Sequence, residues 1–272
     1  MQKLHYLKVI VILLLIAVIG VTAYLSFYRT PYAISLSKHE VVHTDLPEAF
    51  NNFKVGYFSD LDLKDNDDIT RLKKIVEKIN AQNFDLVLFG GDIYDEQIIS
   101  KDEVCQLLNQ ITAKYGKFAV LGEKDYTSVN DTKSILQLGG FEVLSNEARS
   151  IYYNNSSITL FGLESADNLG TLINANNSGN YKIALVHQPD FFTNTVGKDI
   201  ELQLSGHSHG GYIYLPFLGP LITVDGAKAY NHGRYDVESS TLLVSNGLGM
   251  ESGQSARLFC TPDILQVTLK NK

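Results

Sequence analysis

From Lys54 onward the chain repeats one pattern: a short apolar run, a polar end, then a stretch with apolar residues at helical spacing. "KVGYFSD" leads into "DITRLKKIVEKINAQ", where Ile69, Leu72, Ile75, Val76 and Ile79 share one face and Asp67 or Asp68 is placed to cap the first turn. "FDLVLFGGD" reads as a continuous buried strand, and "KDEVCQLLNQITAKYG" as a helix through Val104, Leu107, Leu108 and Ile111 that ends at Gly116. "KFAVLGEKDY" supplies the third strand and loop. Successive strand, loop, helix units imply a mostly parallel sheet, because parallel neighbours need a crossover and the helix provides it. In the second half "SIYYNNSSITLFGLES" reads as a hairpin, and "YKIALVHQPD", "ELQLSGHSHGG", "STLLVSNGLG" and "DILQVTLKN" as strands. The Asn-rich "INANNSGNY" at 173–181 is expected to be an exposed loop. Two packed sheets flanked by helices accommodate all of these segments.

The N-terminus obeys a different rule. "VIVILLLIAVIGVTAYLSFY", Val9 to Tyr28, carries no charge over about the length that spans a bilayer core. Lys3 and Lys8 precede it, which by the positive-inside tendency puts the N-terminus in the cytoplasm and everything after Arg29 on the far side, although Arg29 itself reduces the asymmetry. A cleaved signal peptide ending near "VTA" competes with this reading, but the apolar run continues past that site to Phe27. The expected organisation is a transmembrane anchor over 1–30 and one folded domain over 31–272. The remaining 242 residues are enough to bury a sizeable core. A net charge of −7 and the lack of any dense basic block argue against nucleic acid as a partner. Cys105 and Cys260 are too few and too far apart for a metal cluster, and read as buried thiols.

The polar residues that end the apolar runs carry the chemistry: Asp60 and Asp62 in "SDLD", Asp92 in "GGD", Glu123 in "GEKD", His187 in "VHQPD", and His207 and His209 in "SGHSHGG". Ligands of α/β proteins bind at the carboxyl ends of strands, so these residues can converge although far apart in the chain. Carboxylates with imidazoles suit divalent Mn, Mg, Fe or Zn, and the glycines let backbone approach closely. "DLDLKDNDD" is not an EF-hand loop, since Lys64 and Asp65 stand where the fifth position needs an oxygen ligand and the sixth a glycine.

In this order the motifs "SDLD", "GGD", "GEKD", "HQPD" and "SGHSHGG" resemble the calcineurin-like metallophosphoesterases, whose pattern is Asp-x-His, Gly-Asp, Gly-Asn-His-Asp, His and Gly-His-x-His. The chain looks most like their membrane-anchored bacterial branch, from about Thr30 to the end, including "LPEAFNNFKVGYFSD" and "GLGMESGQSARL". The resemblance implies a four-layer α/β/β/α sandwich of two mixed sheets. It also implies two metals at the strand ends and an activated water that attacks a phosphoester. Asp92 would bridge the metals, with Asp60 and His209 on one and His187 and His207 on the other.

Three positions depart from that pattern. Asp62 stands for a His, Glu123 for an Asn ligand, and Lys124 for the catalytic His; Tyr212 replaces a Gln that often follows the two glycines. Asp62 and Glu123 still offer oxygen, which tilts metal preference from Zn toward Mn or Mg. With two divalent ions the site would carry a net charge of about +1, and with one ion about −1. Lys124 is expected to neutralise charge and transfer protons at the phosphate, with Asp125 beside it, or to replace a metal by folding among Asp62, Glu123 and Asp125, or to point into solvent. The expected protein is therefore a single-pass membrane phosphoesterase with an extracytoplasmic domain. It would hold one or two divalent ions and act on a lipid-linked or cell-envelope phosphoester. The alternative is a catalytically degenerate binding or scaffolding module.

Overall fold

Two six-stranded mixed sheets lie face to face in this computed structural model, which describes residues 2–167, 169–176 and 180–272. The first sheet contains β1 (Ser35–His43), β2 (Lys54–Phe58), β3 (Leu86–Phe89), β4 (Lys117–Ala119), β5 (Glu142–Val143) and the C-terminal strand Asp263–Asn271, in the order β1, C-terminal strand, β2, β3, β4, β5. Pairing from β2 to β5 is parallel, and the C-terminal strand runs antiparallel to β2. The second sheet has β6 (Glu147–Tyr153), β7 (Ser156–Leu163), β8 (Lys182–Val186), β9 (Leu202–Ser205), and the hairpin strands Gly233–Val237 and Ser240–Val244. Its central strands β7, β8 and β9 are parallel.

The continuous apolar runs follow from burial on both faces. Val55, Tyr57, Leu86, Leu88 and Phe118 of the first sheet meet Ile158, Leu160, Ile183, Leu185, Leu202 and Leu204 of the second in one inter-sheet core. On the outer side Phe58, Val87 and Phe89 pack beneath α2 (Asn66–Asn80), α3 (Lys101–Asn109) and α4 (Val129–Leu138). The second sheet is covered by α5 (Leu169–Ala175), through Phe161, Ala184 and Val186. Each such aliphatic or aromatic side chain removed from water contributes about 1.5–3 kcal/mol. The four-layer sandwich expected from the sequence is the observed architecture.

Local boundaries differ in three places. Asp65, rather than Asp67 or Asp68, caps α2: its carboxylate accepts from the amides of Asp67 and Asp68 at 2.9 and 3.0 Å. Three adjacent aspartates compete for that role, and only Asp65 has the extended backbone a cap requires. α3 stops at Asn109 instead of running to Gly116, because Asn80 of α2 takes the Thr112 amide at 2.9 Å and draws the chain away. The first part of the Asn-rich stretch closes α5, while residues 177–179 lie outside the described residues.

At the N-terminus, helix Gln2–Tyr24 continues through single turns to Tyr32. The span Lys3–Tyr32 is long and apolar enough to cross a membrane, and it is almost wholly exposed. Its base is tied to the domain where the Arg257 amide donates to the Ser26 carbonyl at 2.9 Å.

Candidate functional site

The site lies where β2, β3 and β4 of one sheet and β8 and β9 of the other end on the same side. The loops after β2 and β3 stay zipped beyond the strands: the Asp60 amide donates to Gly91 O at 2.9 Å, Leu61 to Asp92 O at 2.8 Å and Leu63 to Ile93 O at 2.9 Å. That pairing turns Asp60, Asp62 and Asp92 inward on left-handed backbone, with φ of 52°, 45° and 59°. His207 and His209 have φ of 67° and 49°. Such conformations cost about 1–3 kcal/mol each and persist where the surroundings enforce them, most often at functional sites.

Two groups of ligand atoms result. In the first, Asp92, Glu123, His187 and His207 each bring one donor atom within 4.8 Å of the others. His187 Nε2 lies 3.3 Å from Asp92 Oδ2 and 3.1 Å from Glu123 Oε2, and His207 Nδ1 lies 2.7 Å from Glu123 Oε1. The hydrogens follow from the opposite ring nitrogens. His187 Nδ1 faces the Gly90 carbonyl at 2.7 Å, and His207 Nε2 the Asp225 carbonyl at 2.6 Å. A carbonyl only accepts, so each of these nitrogens donates, and in the neutral ring the inward nitrogen presents a lone pair. Fixing a ring by a backbone carbonyl in this way is how metal-binding imidazoles are oriented. His187 Nε2 is buried and without a hydrogen-bond partner among the described residues. Burial opposes a charge on His187, yet Asp92 and Glu123 outweigh it and raise its pKa. This pocket is shaped around a positive charge, and its donor set fits a divalent cation. Gly122 permits the approach, since a Cβ there would sit 2.1 Å from Asp92 Oδ1.

The second group consists of Asp62, His209 and Glu251, again within 4.8 Å. Here Lys124 intrudes. Its Nζ lies 2.8 Å from Asp62 Oδ1, 3.1 Å from Asp95 Oδ1 and 2.7 Å from Glu251 Oε1. Burial works against the ammonium, but the Asp62 and Glu251 carboxylates outweigh it and hold its pKa well above the usual lysine value. His209 is placed the other way round from its two companions. Its Nδ1 lies 2.9 Å from Arg257 Nη2, and a guanidinium only donates. The neutral ring therefore carries its hydrogen on Nε2, which points toward Asp62 Oδ2 at 3.5 Å. Burial, followed by the Arg257 charge, keeps the His209 pKa well below its normal value. Asp62 Oδ2 has no hydrogen-bond partner among the described residues.

Two further expected residues sit outside both groups. Asp60 turns both oxygens to the His207 amide, at 3.0 and 3.1 Å. Asp125 is buried and accepts from the amides of Asp92, Ile93 and Gly122 at 2.8, 3.1 and 2.9 Å. Burial, then the Asp92 charge, pushes its pKa up to about 6. The geometry makes Asp125 a clamp between the "GGD" and "GEKD" turns, not a group that reaches a substrate. Lys124 likewise spends its side chain on carboxylates, while its amide donates to Asp92 Oδ1 at 3.0 Å.

Asp95, Glu251 and Arg257 were not apparent from sequence as site residues. Asp95 follows Asp92 by three residues, and Glu251 and Arg257 lie in "GLGMESGQSARL". Arg257 is fully buried and donates to the carbonyls of Asn246 at 2.6 Å and Gly249 at 2.7 Å as well as to His209. Tyr212, standing for the family Gln, stacks on the His209 ring with centroids 4.9 Å apart and donates to Glu251 Oε2 at 2.5 Å.

The chain is 34% identical over 254 residues to an uncharacterized metallophosphoesterase, YkuE, of Bacillus subtilis, covering 90% of this chain and 88% of that one. It is 24% identical over 283 residues to a transmembrane protein with metallophosphoesterase domain from Danio rerio, covering 97% of this chain and 63% of that one. Among solved structures, GAP50, the anchor in the inner membrane complex of Plasmodium, superposes with a TM-score of 0.51 at 12% identity over 79% of this chain and 80% of its own, a likeness of fold alone. The sequence pattern of the calcineurin-like phosphoesterases matches residues 53–211, and the chain belongs to that family.

Proposed function

We propose that the protein is a metal-dependent phosphoester hydrolase tethered to the outer face of the membrane. The observation that carries this is the set Asp92, Glu123, His187 and His207, in which two ring nitrogens that are acceptors in the neutral form converge with two carboxylates on one point. A divalent ion in that set supplies Lewis acidity toward a phosphoryl oxygen and toward water. The chain's own residues do the rest. Gly90 and Asp225 carbonyls hold the two rings in their metal-ready tautomers. Asp125 locks the turns that carry Asp92 and Glu123. The mixed nitrogen and oxygen donors accept Mn, Fe or Zn, and the two carboxylates favour Mn or Mg.

The position of the anchor supports a phosphoester presented at the membrane surface, such as a lipid-linked or cell-envelope substrate. Arg257 hydrogen-bonds to Ser26 at the anchor's base, and the next residue, Leu258, pairs with Tyr212 and Tyr214, three and five residues beyond His209. From Tyr214 a short hairpin extends to Phe217 and Leu218, both strongly exposed, as is Phe259. Apolar tips rooted beside the anchor suit contact with lipid. Lys3 and Lys8 before the apolar run favour the extracytoplasmic orientation.

The test is turnover of bis-p-nitrophenyl phosphate by the full chain in detergent after Mn loading, with Asp92→Asn beside it. Metal-dependent turnover is expected, falling by about 10²–10⁴-fold in the variant. A second reading, a binding or scaffolding member of the family, is favoured by the engagement of Lys124 and Asp125 with other protein groups, which leaves neither free to donate a proton to a leaving group. Metal bound without any turnover would decide for that reading.

A further inference from the structure

We infer that the second metal position of the family is filled in this protein by the Lys124 ammonium, so the chain takes one divalent ion where the fold provides for two. The inference rests on the metal-dependent reading above and deepens it.

Three independent features of the second position disagree with a metal. The first is the match of donors to acceptors. An ammonium has three N–H groups, and Lys124 Nζ faces three carboxylates, one oxygen each, from three separate loops: Asp62 after β2, Asp95 after β3 and Glu251 near the C-terminus. Each of the three contacts is 3.1 Å or shorter, so no N–H is left over for a substrate phosphate. The remaining oxygens of two of these carboxylates are also engaged. Asp95 Oδ2 accepts from the Ser252 amide at 2.6 Å, and Glu251 Oε2 from Tyr212 Oη at 2.5 Å.

The second feature is the orientation of the imidazole. A metal needs a lone pair, but Arg257 Nη2 donates to His209 Nδ1 and leaves the hydrogen on Nε2, the nitrogen that faces Asp62 and Glu251. Ring rotation cannot relieve this, because His209 is stacked against Tyr212 and Arg257 is held by two backbone carbonyls. The third feature is the charge already present. Lys124 and the buried Arg257 bring two fixed positive charges to this place, whereas among the described residues no lysine or arginine side chain pairs with Asp92 or Glu123 at the first position. Removing the lysine would leave Asp62, Asp95 and Glu251 facing one another, an oxygen-rich set that a hard divalent cation satisfies.

The metal content of the protein tests this directly. The full chain, purified in detergent and dialysed against Mn, is assayed for bound ions by plasma mass spectrometry, as wild type and as Lys124→Ala. The wild type should hold one ion per chain and the variant one more. Two ions in the wild type would overturn the inference, as would equal content in the two folded proteins. A wild type with none and a variant with one would keep the lysine at the second position but overturn both the count of one ion and the four-ligand reading of the first position, so the two claims fail separately. Should Lys124→Ala not fold, ¹⁵N-histidine spectra of the wild type with diamagnetic Mg still decide: His209 must be protonated at Nε2 with Mg present. A His209 Nε2 that loses its hydrogen as a second equivalent of Mg is added would overturn the inference.

Discussion

The two halves of the site are built from the same kinds of residue and hold opposite kinds of partner. In one, Glu123 sits between two imidazoles whose inward nitrogens carry lone pairs in the neutral form; in the other, Lys124 sits among three carboxylates and the one neutral imidazole presents a hydrogen. The difference does not lie in the ligand residues themselves, since each half contains carboxylates and histidine. It lies in what stands behind each ring. A backbone carbonyl behind His187 and His207 turns the near nitrogen into an acceptor, whereas a guanidinium behind His209 turns it into a donor. Outer contacts thus decide whether an imidazole binds a cation or repels one.

Arg257 is where this contrast is most easily broken. Arg257→Leu removes donors from two buried carbonyls and from His209, and should destabilise the protein by about 3–5 kcal/mol in urea unfolding. A loss well under 1 kcal/mol would mean that the guanidinium does not hold this half together. The histidines give a sharper comparison at smaller magnitude. His187→Gln should weaken Mn binding by about 10- to 100-fold or more, while His209→Gln should leave it within about twofold. Equal losses in titration calorimetry would erase the distinction between the halves. The smallest effect is steric. Gly122→Ala, whose Cβ would meet Asp92 Oδ1 at 2.1 Å, should cost about 1–3 kcal/mol and lower Mn affinity, with Lys124 and its carboxylates undisturbed. Crystals of that variant with an unaltered first half would show that the close approach is not required.

Much of this was legible in the chain. Continuous apolar runs ended by Asp60, Asp92, Glu123, His187 and His207 can only be strands buried on both faces with polar loops at one end, and the structure places them so. The helix in "DITRLKKIVEKINAQ" was read to within its buried face, but its cap was not, because three aspartates in four residues satisfy the same propensity. Three directions were open for Lys124: toward a substrate phosphate, among Asp62, Glu123 and Asp125, or into solvent; its side chain meets Asp62, but its other partners are Asp95 and Glu251. Its direction was open, since a flexible four-carbon side chain reaches either a substrate or its neighbours from the same backbone position. Asp95 was missed because "DIYDE" carries no periodicity or motif that separates it from a solvated loop.

By itself, the amino-acid sequence determined the two-sheet sandwich, the apolar N-terminal span and the family, because hydrophobic period and the order of short motifs are local properties of the chain. Only the tertiary structure decided the character of each half of the site. His209 and Arg257 are 48 residues apart, and Lys124 meets Asp62 and Glu251 across separations of 62 and 127 residues. Which nitrogen of an imidazole holds the hydrogen, and whether an ammonium meets two carboxylates or three, are set by groups the fold brings together across such distances, and no spacing within the chain encodes them.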